Sequence, residues 1–197
     1  GFRDDGTIQL KRALPQMYEN LRHQPSGPLM TQFMPGLYDN DPRIAWPTLA
    51  AVEAVTTDAM RSWIVPAFAD APITLVIVGD LDADAALATV ARTFGALGKR
   101  RAPIAWDERR HLPAMKSGVR EDFTIETEVQ RAVVYIAFAT ADGRDAATRR
   151  NLRFLADLLG DRLRGEIREK LGVSYSPQAG AEMSMAYPGV GRLVLQA

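Results

Sequence analysis

A nearly continuous apolar run at residues 73–78 limits the fold of this chain more than any other feature. It reads Ile-Thr-Leu-Val-Ile-Val and ends at Gly79, which is typical of a strand buried on both faces of a sheet. Asp82 is then placed to cap a helix. The apolar residues of that helix recur with helical spacing, at Leu87, Val90, Ala91 and Phe94. A strand, a turn and a helix in this order predict an α/β unit.

The region before this run is predicted to be helical at both ends and irregular in between. Residues 1–23 have a partly helical pattern that Pro15 interrupts. Prolines recur from residue 25 to residue 47, which favours loops. Thr56 is predicted to cap a further helix, and Pro66 is expected to limit its length.

The end of the chain has a second alternation of strands and helices. The first of its helices has an apolar face and is expected to bend or break at Gly160. A second helical stretch is predicted to end at Gly172, a natural C-cap, and Asp142-Gly143 predicts a turn. Strands are predicted at residues 119–127, 130–140, 174–184 and 190–196.

A polar, basic stretch marked by prolines separates these two parts of the chain. The sequence therefore predicts that residues 1–103 are the closing part of one α/β unit and residues 119–197 the opening part of a second. Residues 104–118 are predicted to be the linker. The chain begins with Gly1 rather than with Met, and we expect it to be a piece of a longer protein.

The composition excludes several classes of function. The 197 residues include no cysteine, which rules out disulfides, thiol nucleophiles and thiolate metal sites. The 24 Lys and Arg residues balance the 24 Asp and Glu residues, whereas a nucleic-acid binder usually has a basic excess. No apolar run approaches the ~20 residues that span a bilayer. Nucleic acid and a membrane span are therefore not expected, while cytoplasm and periplasm both stay open.

Motifs for hydrolytic chemistry are missing. A zinc site of the His-x-x-Glu-His type needs two histidines four residues apart, and the only histidines here are His23 and His111. No serine lies in a Gly-x-Ser-x-Gly elbow. The turn after residue 78 lacks the glycine fingerprint of a dinucleotide site. The sequence predicts no metal site and no catalytic centre in this chain.

Three stretches carry a resemblance to a known family. Residues 73–82, with the helix that runs into Phe94-Gly95, resemble the segment that closes a domain in pitrilysin/insulinase-type zinc metallopeptidases. Residues 130–136, Gln-Arg-Ala-Val-Val-Tyr-Ile, are similar to the strand that opens the following domain. Residues 158–176, with Leu-Gly, Arg-Leu, Arg-Glu-Lys-Leu-Gly and Tyr-Ser in order, resemble the signature of the family's half that lacks zinc.

The resemblance implies a fold and a zinc site that lies outside this chain. The fold class is α/β (α+β), with mostly antiparallel or mixed sheets backed by helices. Such domains form two halves of a clamshell around a peptide chamber, and this chain would contain parts of two of them. The zinc ion would belong to the other half, fused upstream or present as a separate chain, and this chain would be inactive alone.

Arg168 and Tyr175 match the positions at which the family's zinc-free half contacts its peptide substrate. There, an Arg and a Tyr hold the peptide or stabilise charge on the scissile carbonyl, and guanidinium and phenol groups suit that role as strong donors. A structural explanation stays open for both, because Arg168 would face a helix C-terminus favourably and Tyr175 would fit a strand core. The alternative function is a structural or partner-binding module of the same fold.

Overall fold

The computed structural model describes residues 4–128, 130–172 and 176–197, most of them in helices and irregular segments. The chain divides into two compact units. Unit 1 comprises Gly1–Lys11 and Glu53–Trp106, and unit 2 comprises Arg12–Val52 and Asp107–Ala197. The domain limits proposed from the sequence stay a prediction. The α-helices are α1 (Asp4–Arg22), α2 (Ser26–Pro28), α3 (Met34–Gly36), α4 (Leu49–Glu53), α5 (Thr57–Asp70), α6 (Ala83–Arg92) and α7 (Ala146–Leu163).

Short helical segments of other kinds complete the helical part of the structure. Two are π-helical, Leu29–Phe33 and Arg164–Lys170, and two are 3-10 turns, Phe94–Ala96 and Asp107–Arg110. Among the described residues, no helix combines the length and the apolar character needed to cross a membrane.

Unit 2 contains an antiparallel sheet of three strands. They are β1 (Tyr135–Thr140), β2 (Gln178–Met183) and β3 (Gly191–Gln196), in the order β1-β3-β2. The two closing strands predicted from the sequence are confirmed as β2 and β3. The mixed α/β class with an antiparallel sheet is confirmed as well, since helix α7 packs against β2 and β3.

Helix α7 begins where the side chain of Asp145 accepts a hydrogen bond from the Thr148 amide at 2.6 Å. The helix then runs through Gly160 without a break. The predicted break is wrong because the helical backbone accommodates this glycine within α7. A Cβ at Gly160 would lie 3.7 Å from the Ala179 nitrogen of β2, an ordinary van der Waals distance. Gly160 and Ala156 are both buried.

The segment predicted to be irregular, residues 25–47, is helical from Ser26 to Gly36. The pair Leu37 and Tyr38 after it is buried, with exposed fractions of 3% and 2%. Phe33 contacts Tyr135 of β1 edge to face, with ring centroids 6.3 Å apart. Pro25 is the N-cap of this helical run and Pro28 lies in its first turn, where a missing amide costs little.

Two prolines expected to interrupt helices lie inside them instead. Helix α1 continues past Pro15, and α5 continues past Pro66 to Asp70. Proline leaves the carbonyl four residues earlier without a helical partner, which for Pro15 is the carbonyl of Lys11. The division between the two units falls directly after Lys11.

Unit 1 has the helices that the sequence predicted. The Thr56 side chain accepts a hydrogen bond from the Ala59 amide at 3.1 Å and begins α5. Asp82 accepts one from the Ala85 amide at 2.9 Å and begins α6. Both predicted caps are confirmed, because a cap depends on residues within one turn of it.

The prediction of strands in two stretches is wrong. Residues 73–78 and 119–127 form no strand, and only residues 135–140 of the predicted strand 130–140 form one. A strand needs a neighbour for its backbone groups. The described residues of unit 1 provide no second strand for residues 73–78.

Candidate functional site

Arg168 lies on the π-helical segment Arg164–Lys170, which continues α7 directly from Leu163. Its side chain is exposed. Two ion pairs lie on the same helical stretch, Arg164 with Asp161 and Lys170 with Glu166. Exposed pairs of this kind contribute little to stability. Arg168 therefore lies exposed near the end of a helical segment that is rich in charged side chains.

The helical segment ends at Gly172, as the sequence predicted. Gly172 has φ +65°, in the left-handed region where glycine carries no Cβ penalty. The amide of Leu171, just before it, donates to the Glu166 carbonyl at 3.2 Å. Tyr175, the other predicted site residue, lies outside the described residues. The structure therefore places one member of the predicted pair, and the proximity of Arg168 to Tyr175 stays a prediction.

The two histidines lie in different surroundings. Both ring nitrogens of His23 are in hydrogen bonds, Nδ1 with the Glu126 carbonyl at 2.8 Å and Nε2 with a Glu19 carboxylate oxygen at 3.0 Å. The main-chain carbonyl of His111 accepts a bond from Arg43 at 2.8 Å. In the described part of the chain, no three His, Asp or Glu side chains are grouped as metal ligands. These residues do not fit a catalytic zinc ion, and no step is assigned to one in this chain.

A large cavity in unit 2 was not predicted from the sequence. It has a volume of about 1120 Å³. Its walls are the helical segment after α1, the segment from Met115 to Thr127, and residues 135–139 of β1. Apolar side chains dominate the lining and include Leu29, Phe33, Leu37, Phe123, Ile125 and Val134. The alternating apolar residues of 119–127, which predicted a strand, were the sequence feature that could have indicated an apolar wall here.

Strand β1 presents a free edge to this cavity. Val134 and Ala197 exchange both backbone hydrogen bonds, at 2.9 and 3.1 Å. Alternation along an antiparallel ladder then directs the backbone groups of Tyr135, Ala137 and Ala139 away from β3. All three residues line the cavity, and among the described strands none pairs with this edge. The edge can accept an extended chain.

Tyr135 is the titratable side chain of β1 at the cavity. Burial raises its pKa, and the nearby Arg192 guanidinium opposes the shift only in part. The Tyr135 phenol therefore stays protonated at neutral pH and is available as a donor. Burial disfavours the charge of Arg192, but Glu182, its direct partner across the β2–β3 ladder, leaves its pKa raised overall.

The model of the Peptidase M16 inactive domain matches residues 54–192. This range covers most of the chain. The chain belongs to the M16 peptidase family. The resemblance to pitrilysin/insulinase-type peptidases is thereby confirmed, including its assignment to the half that lacks the catalytic metal.

One solved structure has the same fold as this M16 chain, the crystal structure of the periplasmic protease PqqL from Escherichia coli. The TM-score is 0.50 with 16% sequence identity. The likeness covers 100% of this chain and 22% of the PqqL chain, so the M16 chain described here spans about a fifth of that protein. No curated protein matches the sequence.

Proposed function

We propose that this chain is the substrate-handling part of an M16-type zinc peptidase. It assists peptide hydrolysis at a zinc site that lies on another domain or chain. The observation that carries the proposal is the match of residues 54–192 to the inactive domain of the family, in a chain without any His-x-x-Glu-His sequence. Zinc bound by the partner half would supply the activated water, and this chain would supply contacts to the peptide.

Arg168 and Tyr175 are the proposed contacts to the substrate. The exposure of Arg168 at the end of its helical segment supports this role, since a buried guanidinium would not reach a peptide. Gly172, with φ +65°, gives the backbone between the two residues a conformation that favours a turn. Guanidinium and phenol groups are strong hydrogen-bond donors, suited to the peptide carbonyl and to the negative charge that develops on it.

Substitution of the two residues tests the proposal. The assay is hydrolysis of a quenched fluorescent peptide, in zinc, by this chain mixed with its zinc-bearing half. We expect Arg168→Ala and Tyr175→Phe each to lower kcat/KM by about 100-fold, the scale of losing one fixed donor to an oxyanion. Arg162→Ala is the matched control, because Arg162 is exposed in the last turn of α7 and should leave the rate unchanged.

Activity on mixing that neither substitution changes would contradict the assignment of Arg168 and Tyr175 as substrate contacts. Equal losses in Arg162→Ala and Arg168→Ala would also contradict it, since they would point to general electrostatics. Circular dichroism of each variant separates these outcomes from misfolding.

A second function, a structural or partner-binding module, is favoured by the surface of unit 1. Large apolar side chains are exposed there, including Trp63 at 80%, Phe68 at 78% and Val78 at 91%. Exposed apolar surface of this kind is typical of a face that another protein covers. Complex formation with the zinc-bearing half, combined with full activity of the Arg168 and Tyr175 variants, would favour this function over substrate handling.

A further inference from the structure

His23 bridges two parts of unit 2 that are far apart in the sequence. It follows the last residue of α1, and its Nδ1 lies 2.8 Å from the main-chain oxygen of Glu126. Its Nε2 lies 3.0 Å from the Glu19 carboxylate, one helical turn earlier. Both partners are acceptors: a carbonyl oxygen never donates, and a carboxylate donates only when it is protonated.

The two bonds together require the charged ring. A neutral imidazole has one N–H and can satisfy only one of two acceptors, whereas imidazolium donates from both nitrogens. The Glu19 carboxylate is kept ionised, because the His23 hydrogen bond lowers its pKa. Charge-assisted bonds are the stronger ones. A ring that loses a proton therefore keeps its N–H on Nε2 toward Glu19 and loses the bond to Glu126.

The Glu126 bond holds a wall of the unit 2 cavity. Ile125 and Thr127, on either side of Glu126, both line the cavity, and Pro25, two residues after His23, lines the facing wall. The wall segment, residues 115–128, is fixed at its start by Lys116. The Lys116 amide donates to the Leu37 carbonyl at 2.9 Å, and its ammonium group lies 2.8 Å from an Asp39 carboxylate oxygen. The His23 bond fixes the far end of the same segment.

We propose that His23 is a proton-controlled clamp that holds residues 115–128 against the end of α1 and thereby controls access to the cavity. The protonated ring closes the clamp, and the neutral ring releases the wall at Glu126. The clamp does not depend on the function proposed above for Arg168 and Tyr175.

The charges around the ring set the pH at which the clamp opens. From α1, Glu19 favours the charged ring and Arg22 opposes it, and from the wall segment the Glu126 carbonyl faces the ring. The Glu126 carbonyl first, and Glu19 second, raise the pKa of His23 above 6.5. Because the pKa is raised, the protonated ring stabilises the closed form fully below pH 6.5. This stabilisation is lost as the pH rises through the folded-state pKa.

NMR of the full chain tests the protonation step. The chain has two histidines, so comparison with His23→Gln identifies the ring signals of His23. We expect the His23 ring to titrate above pH 6.5 and the Thr127 amide, which follows the Glu126 carbonyl, to shift with the same midpoint. In Glu19→Gln both midpoints should move down together. In His23→Gln the Thr127 titration should disappear.

Trypsin cleavage after Arg120, an exposed residue of the wall segment, tests the opening. The rate ratio between His23→Gln and the native chain at a single pH cancels the pH dependence of trypsin. We expect the variant to be cut about threefold faster at pH 6, the scale of one exposed hydrogen bond, and equally fast at pH 9. His111→Gln should match the native chain at both values. Equal rates at pH 6, or a Thr127 amide that ignores the His23 titration, would overturn the proposal.

Discussion

At the scale of single residues, individual side chains join distant segments of unit 2 through polar contacts. Arg43 is the clearest case. Its guanidinium forms a double hydrogen bond with Asp41 and donates to the carbonyls of Arg109 at 2.7 Å and His111 at 2.8 Å. It also lies 5.8 Å from the centre of the Tyr187 ring. One planar fork thus ties three segments of unit 2.

Arg43→Lys should destabilise unit 2, although the charge is kept. An ammonium group cannot reproduce the paired bonds to Asp41 together with two carbonyl bonds. We expect a lower midpoint of urea denaturation for Arg43→Lys and a still lower one for Arg43→Ala. Arg153→Lys, at an exposed position of α7, is the control and should match the native chain. An unchanged midpoint in both Arg43 variants would contradict this role.

The same contact gives a pH dependence. The hydrogen bonds from Arg43 lower the pKa of Asp41 from 3.8 to about 2. A depressed carboxyl pKa stabilises the fold fully above pH 3.8, and this stabilisation is lost as the pH falls toward 2. Acid titration followed by tryptophan fluorescence should show a smaller loss of stability across this window in Asp41→Asn than in the native chain. Parallel acid-denaturation curves for the native chain and Asp41→Asn would contradict this stabilising contact between Asp41 and Arg43.

At the scale of elements, the helix caps could be predicted from the sequence, whereas the pairing of strands could not. The caps Thr56, Asp82 and Gly172 lie where the sequence predicted them, because a cap is decided within one turn of chain. The strand predicted at 73–78 did not form, because strand formation depends on a neighbour elsewhere in the chain. In the candidate site too, a local feature could be predicted and a long-range one could not. Arg168 could be named from its motif, whereas the cavity depends on contacts between distant segments.

Gly160 shows why a residue type alone is ambiguous. A glycine in a helical pattern lowers the expectation of a continuous helix without excluding one. Here α7 continues through Gly160 and packs on β2. Pro66 is a similar case, since α5 continues past it to Asp70.

Gly191→Ala should disrupt the sheet. A Cβ at Gly191 would lie 2.1 Å from the Ala141 carbonyl oxygen and 2.7 Å from the Thr140 hydroxyl, so the backbone of β1 or β3 must shift. We expect a loss of about 2 kcal/mol or more in the free energy of unfolding. Gly180→Ala in β2 is the control, because its Cβ would meet only the Val194 side chain at 3.5 Å. Equal effects of the two substitutions would contradict the packing described for Gly191.

At the scale of the whole molecule, the two units differ in how well they bury apolar surface. The buried apolar residues, Leu14, Leu37, Tyr38, Ala156, Leu193 and Val194, all belong to unit 2. Unit 1 exposes Trp63, Phe68 and Val78. Stability should therefore be concentrated in unit 2, with a partner chain or domain covering unit 1.

Hydrogen exchange measures this difference directly. Amides of β3 and of α7 should exchange slowly, because both elements are bonded and packed on each other. Amides of residues 73–78 should exchange near the rate of an unfolded chain in the isolated protein and slow down when the zinc-bearing half is added. Strong protection of residues 73–78 in the isolated chain would contradict the division of stability.

In the proposed function, this M16 chain assists a zinc site that lies on another domain or chain. The test is hydrolysis of a quenched fluorescent peptide in zinc, by the chain alone and after addition of its zinc-bearing half. We expect no hydrolysis by the chain alone and zinc-dependent hydrolysis on mixing, at a rate above that of the zinc-bearing half by itself. Zinc-dependent hydrolysis by this chain alone would contradict the claim.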